Sequence, residues 1–165
     1  VLLMELITDC EGQVSPLLND IAMSAEQARE DHATVMTYVT RMLCAGLVHG
    51  DLSEFNVLVD EQGPVIIDLP QAVDAAANNQ AQQMLERDVN NMTAYYAQYA
   101  PELSGTRYAS EIWELYENGE LHPDTQLTGQ FEESTQNADV DSVLDEIKAA
   151  LAEEQERQQR LVGMA

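Results

Sequence analysis

Basic residues are scarce: seven Lys and Arg face 30 Asp and Glu, a formal charge of −23, and Lys148 is the only lysine. That balance argues against binding nucleic acid through phosphate contacts and against adhesion to anionic membrane. Cysteine is nearly absent too, with Cys10 and Cys44 in no C-x-x-C pair, so neither a disulfide framework nor zinc-ligand spacing is present. No apolar run reaches the roughly 20 residues of a bilayer span, and no basic segment followed by an apolar one opens the chain. These absences lead us to expect a soluble, intracellular protein. What is present is a chain of 165 residues, 45% hydrophobic, enough for one globular unit with a substantial core.

The chain opens on Val1-Leu2-Leu3-Met4-Glu5-Leu6-Ile7, an apolar run with no initiator Met, which reads as a buried core strand entered mid-domain. We therefore expect a fragment lacking its N-terminal part. Thr8 to Met23 carries Gly12, Pro16 and Asn19 and reads as loop. Ser24-Ala25-Glu26-Gln27 fits a capping box, with the Ser hydroxyl accepting from the third helical amide and Gln27 reaching back. Ala28, His32, Val35, Val39 and Met42 or Leu43 then mark the buried face of a helix that runs to about Ala45 and stops at Gly46. His32 on that face reads as a core histidine.

Phe55 to Val59 and Val65 to Ile67 are short β-branched runs, joined by Asp60-Glu61-Gln62-Gly63-Pro64 as a hairpin with a five-residue loop. Asn79 to Tyr99 is a second predicted helix, with Met84, Leu85, Val89, Met92, Tyr95, Tyr96 and Tyr99 on its apolar face. Tyr108 to Tyr116 is a third, ending at Asn118-Gly119, with Trp113 as a packing anchor. Leu121 to Ala138 is polar and acidic, an expected surface segment without packing. Val140, Val143, Leu144, Ile147 and Leu151 form the stripe of a last helix whose end projects into solvent.

Chemistry concentrates in His49-Gly50-Asp51-Leu52-Ser53-Glu54-Phe55-Asn56 and, after the hairpin, Ile66-Ile67-Asp68-Leu69-Pro70-Gln71. A hairpin returns its second strand to the start of its first, so Asn56 and Asp68 come within reach of each other. An amide oxygen and a carboxylate suit Mg²⁺, which takes one or two protein ligands plus phosphates and water. Asp51, five residues before Asn56, is placed to accept a hydrogen bond from an attacking hydroxyl.

This pattern resembles the catalytic and metal-binding loops of the protein-kinase-like superfamily. Within it, three details resemble the RIO kinases, atypical serine/threonine protein kinases and ATPases. Ser53 stands where ordinary eukaryotic protein kinases usually have Lys. Ile67-Asp68-Leu69-Pro70-Gln71 stands in place of D-F-G, and Arg87-Asp88-Val89-Asn90-Asn91 is similar to the R-D-x-x-N helix that supports the catalytic loop. Met4-Glu5-Leu6-Ile7 is similar to the hinge that meets adenine.

The resemblance implies an α+β, mostly helical fold: a kinase C-lobe with a hinge strand, a small antiparallel β-ribbon carrying the catalytic and metal loops, and several helices. The lobe would occupy residues 1–119, an acidic segment 120–138 and the last helix 139–165, with the N-lobe absent. It implies ATP and Mg²⁺ as cofactors, Asp51 as the catalytic aspartate, and Asn56 and Asp68 as metal ligands. Asp68 is also a candidate phosphate acceptor, Ser53 a phosphate-side hydroxyl, and Met4, Glu5 and Ile7 the adenine pocket, while His49 holds the loop. The acceptor would be protein Ser/Thr or the chain itself, with a basic ribosome-associated protein as a possible partner and a cytoplasmic location. The sequence has no Gly-rich phosphate loop and no Val-Ala-x-Lys strand, so the fragment alone is expected to transfer phosphate poorly. Two other readings remain open. One is a small-molecule phosphotransferase of the aminoglycoside or choline kinase type, which shares H-G-D-x-x-x-x-N; the other is a non-catalytic nucleotide-sensing scaffold.

Overall fold

The computed structural model describes residues 5–132 and 149. The chain divides by contacts into Val1–Phe131 and Glu132–Ala165, and the elements named below all belong to the first unit. The helix expected over 139–165 lies outside the described residues, apart from Ala149, which is helical.

Three helices build the core. Helix α1, Ala25–Cys44, starts at Ser24, whose Oγ accepts from the Gln27 amide at 3.1 Å. The reciprocal half of the expected capping box does not form. Instead Gln27 donates through Nε2 to Asp31 Oδ1 at 2.7 Å, because the buried carboxylate, 3% exposed, gains more from a donor than the solvated start of the helix does. Gly46 ends the turn at φ +83°, its amide on Leu43 O at 2.9 Å.

Helix α2, Ala81–Ala97, begins two residues later than expected, where Asn78 accepts the Gln80 amide through its side chain at 2.9 Å and the Ala81 amide through its carbonyl. Helix α3 is Tyr108–Glu117. Val35, Met36 and Leu43 of α1, Leu85, Val89, Met92 and Tyr96 of α2, and Ile112 of α3 are all essentially inaccessible to solvent. Burying each such side chain contributes roughly 1.5–3 kcal/mol. The three-to-four spacings that marked these faces in the sequence thus correspond to one shared core. His32 belongs to it, with Nε2 2.9 Å from Thr93 Oγ1 and its ring edge-on to Tyr96 at 5.9 Å.

Between α1 and α2 lie two nested antiparallel pairs. The outer pair joins β1, Leu47–Val48, to β4, Val73–Asp74. The inner pair is the ribbon of β2, Val57–Asp60, and β3, Gly63–Ile66. The outer pair had no signal in the sequence, since two residues show no periodicity.

The ribbon's loop is Glu61-Gln62 alone, not the five residues expected, and Pro64 sits inside β3 opposite Val59. The reason is the ladder's alternation. Ile67 N bonds Asn56 O at 2.9 Å, which makes Val59 and Pro64 a pair that exchanges no hydrogen bonds. Proline's missing N–H therefore costs the ladder nothing. On its far side β2 meets the preceding loop through Val59 N on Pro16 O, 2.9 Å.

Two further expectations are corrected. Residues 5–7 form no strand, and Leu6 is 65% exposed, because Ile7 and Thr8 pair only with Ser15 and Val14 of the following turn. Residues 121–132 lack regular structure as expected, yet the segment is packed. Glu111 Oε1 accepts from Thr128 N and Oγ1, and Oε2 from Gly129 N, at 2.8–2.9 Å. Gly129 is buried against the Tyr108 ring, and Leu121 and Leu127 rest on the core. Among the described residues no helix is long and apolar enough to cross a membrane.

Candidate functional site

The nesting of the two pairs leaves two connections facing each other: the loop His49–Asn56, between β1 and β2, and the turn Ile67–Ala72, between β3 and β4. Everything singled out in the sequence around Asp51 and Asp68 lies on these connections.

Helix α2 holds the first loop from beneath. Asp88, 1% exposed, accepts the Gly50 amide on Oδ2 at 2.7 Å and the Leu52 amide on Oδ1 at 3.0 Å. Arg87 donates through Nη2 to Gly50 O, and Asn91 Nδ2 to Leu52 O at 3.3 Å. Both peptide groups flanking Asp51 are thus fixed by one helix. Burial pushes the Asp88 carboxyl above its ordinary range, opposed by the two amide donors and the neighbouring charges of His49 and Arg87. These supports were visible in the sequence as R-D-x-x-N, but nothing there showed that all three side chains meet the same loop.

His49, 3% exposed, spans the two connections. Its Nδ1 accepts from the Asp51 amide at 3.3 Å, so Nε2 carries the proton toward Ile67 O, 2.8 Å away; the tautomer follows from these partners. Leu52 fills the core below while Asp51 is exposed above. Gly50 has φ +86°, a geometry that separates the buried His49 from the exposed Asp51.

Asn56 donates through Nδ2 to Asp51 O, which leaves its amide oxygen as the acceptor. Its carbonyl receives the Ile67 amide, so Asn56 and Asp68 stand one residue out of register at the open end of the ribbon. Asp68 is the one non-glycine residue at positive φ among those described, φ 67° and ψ 49°, and its side chain is exposed. Gln71 Nε2 lies 3.1 Å from both Asp68 O and Oδ2. Ser53 is half-buried and accepts the Phe55 amide on Oγ at 3.4 Å. The structure therefore brings Asp51, Ser53, Asn56 and Asp68 to one mouth.

The hinge residues are different. Met4 lies outside the described residues, Glu5 is exposed and Ile7 is half-buried. The Ile7 carbonyl accepts from Ser15 N at 2.9 Å, and this segment reaches the ribbon only through the Pro16 and Leu17 contacts with β2.

Asn56 and Asp68 supply an amide oxygen and a carboxylate, hard donors of the kind Mg²⁺ takes. Among the described residues no group of three or more His, Cys, Asp or Glu could hold a metal ion. The donor set thus fits a cation completed by phosphate oxygens and water.

An α+β domain with small antiparallel pairs between helices, and two facing loops between those pairs, has the architecture of a kinase-like domain. The RIO domain model matches residues 1–109, and the chain belongs to this family. It is 33% identical over 105 residues to the RIO-type serine/threonine-protein kinase Rio1 of Haloferax volcanii, covering 64% of this chain and 35% of that protein. With the RIO-type serine/threonine-protein kinase Rio2 of Methanocaldococcus jannaschii it shares 41% identity over 78 residues, 47% of this chain and 28% of the relative. With human serine/threonine-protein kinase RIO1 the figures are 37% over 87 residues, 52% and 15%. The chain thus spans about a third or less of the length of these relatives.

Proposed function

We propose that this chain is the catalytic-loop half of a protein kinase that transfers phosphate from ATP to protein Ser or Thr in an Mg²⁺-dependent reaction. One observation carries the reading. The Asn56 side chain bonds Asp51 O while its backbone bonds Ile67, so the candidate base and the candidate metal donors share one rigid mouth. Asp51 accepts the proton of the acceptor hydroxyl. The hydroxyl oxygen bonds the γ-phosphorus as the bond to the bridging oxygen breaks, and ADP leaves. Asn56 and Asp68 hold Mg²⁺, which would offset the phosphate charge, and Ser53 offers a hydroxyl on the phosphate side. Met4, Glu5 and Ile7 would border the adenine. Asp68 is the carboxylate placed to take phosphate itself if the protein works as an ATPase through an acyl phosphate.

This half is acidic and its sequence holds no Gly-rich loop, so the whole protein must bring further phosphate contacts. The test uses that whole protein with Mg²⁺ and γ-labelled ATP. Asp51→Asn is expected to slow transfer about 10²–10⁴-fold with little change in nucleotide affinity. Asp68→Asn is expected to weaken Mg²⁺-nucleotide binding itself. Equal loss of binding in both variants would overturn these roles.

A further inference from the structure

The short turn after Asp68 is built to keep that carboxylate away from its own backbone. Asp68 stands at the N-cap of a 3₁₀ turn, Leu69–Gln71, a position where an Asp side chain ordinarily accepts from the second or third amide of the helix. The second residue here is Pro70, which has no N–H, and the Asp68 side chain makes no capping bond. The donor comes from a side chain instead. In a 3₁₀ turn residues three apart eclipse, which stacks Gln71 over Asp68, and its Nε2 bonds Asp68 O and Oδ2, each at 3.1 Å. The Ala72 amide on Leu69 O, 2.9 Å, closes the turn that carries Gln71.

We infer that Gln71 is a positioning residue that engages Asp68 Oδ2 so that Oδ1 is presented, singly, to the cation, with Pro70 removing the competing backbone donor. This rests on the metal-binding role proposed for Asp68. A carboxylate tied by one oxygen binds a cation through the other, and its rotamer is set before the cation arrives. Chain length matters as well as chemistry: Asn is one methylene shorter, and Glu, when ionised, has no proton to donate.

The experiment measures Mn²⁺ affinity by electron paramagnetic resonance on the whole protein with a non-hydrolysable ATP analogue. Gln71→Met keeps the length and removes the donor. It is expected to weaken Mn²⁺ about tenfold, with the melting temperature and the affinity for the analogue in EDTA unchanged. Pro70→Ala, which restores a backbone donor, should shift Mn²⁺ affinity in the same direction. In an Asp68→Asn background Gln71→Met should cause no further loss, since the partner it orients is gone. Wild-type Mn²⁺ affinity in Gln71→Met, or a loss that adds in full to that of Asp68→Asn, would overturn the inference alone. Wild-type affinity in Asp68→Asn would overturn the metal role of Asp68 and Gln71 with it.

Discussion

At the scale of single residues, Gly50 shows how tightly the site is specified. Its φ of +86° lies in the left-handed region, and a Cβ built there would come 2.6 Å from Met84 Cε. Both its peptide partners are fixed, the amide by Asp88 and the carbonyl by Arg87, so the backbone cannot relax into an ordinary conformation without breaking a bond to α2. For a residue with a Cβ the left-handed conformation alone costs about 1–2 kcal/mol. Gly50→Ala is therefore expected to lower the free energy of unfolding in urea by about 2 kcal/mol or more. Met84→Ala should relieve only the steric part, so the two substitutions together should cost less than their sum. Additive losses would show that the Met84 methyl simply moves aside. In the sequence this glycine was one letter of H-G-D; the need for it lies in the direction from which α2 bonds the loop.

The helices are where the sequence was most legible, because burial on one face imposes a period that can be read directly. That reading extends to the chemistry of the seam between α1 and α2. His32, 1% exposed and flanked by Thr93, Tyr96 and Tyr108, bonds the Thr93 hydroxyl rather than a carboxylate, and burial lowers its pKa from 6.5 to about 4. The unfolded chain takes up this proton at higher pH than the folded one. Stability carried by neutral His32 is thus lost as pH falls from 6.5 toward 4, by up to about 3 kcal/mol. The buried carboxyls Asp31 and Asp88 act oppositely, since their raised values favour the folded state as pH falls toward the unfolded-state value. Comparison of wild type with His32→Gln isolates the imidazole: the stability difference between them should shrink as pH drops from 7 to 4. A constant difference would mean that His32 titrates in the fold as it does in the open chain.

Short elements were less legible, for physical reasons that differ case by case. The β1–β4 pair is too brief for a pattern and is defined by what it clamps together. Pro64 reads as a loop residue until the alternation of the ladder shows that its nitrogen faces away from β2. The packing of Thr128 and Gly129 depends on Glu111, a tertiary partner 17 and 18 residues away. The opening apolar run looked like a core strand because composition alone cannot say whether a partner strand stands beside it. At the candidate site the motif spacing placed Asp51, Asn56 and Asp68 together, while the engagement of Asp68 by Gln71 needed the turn geometry.

At the scale of the whole molecule the dominant fact is charge. A net −23 spread over 165 residues means that folding compresses like charges into a smaller volume. The described ion pairs do little against it: Arg29–Glu102 and Arg41–Asp124 are both exposed, and pairs of that kind contribute about 0–1 kcal/mol each. Salt acts on both terms, but it removes more repulsion than attraction when the signs are this unequal. Raising NaCl from about 0.01 M to about 1 M shortens the screening length from about 30 Å to about 3 Å. The melting temperature should therefore rise steadily across that range, by several degrees. A fall would mean that local attractive pairs outweigh the long-range field. The same field bears on the proposed reaction, because a polyphosphate approaching the mouth meets Asp51 and Asp68 on a negative surface. Divalent cation at the mouth then has two effects at once, offsetting the field and completing the site. Mg²⁺ should accordingly raise the melting temperature more than NaCl of equal ionic strength in wild type, and the excess should vanish in Asp68→Asn. An equal excess in both would assign the effect to general screening rather than to the mouth.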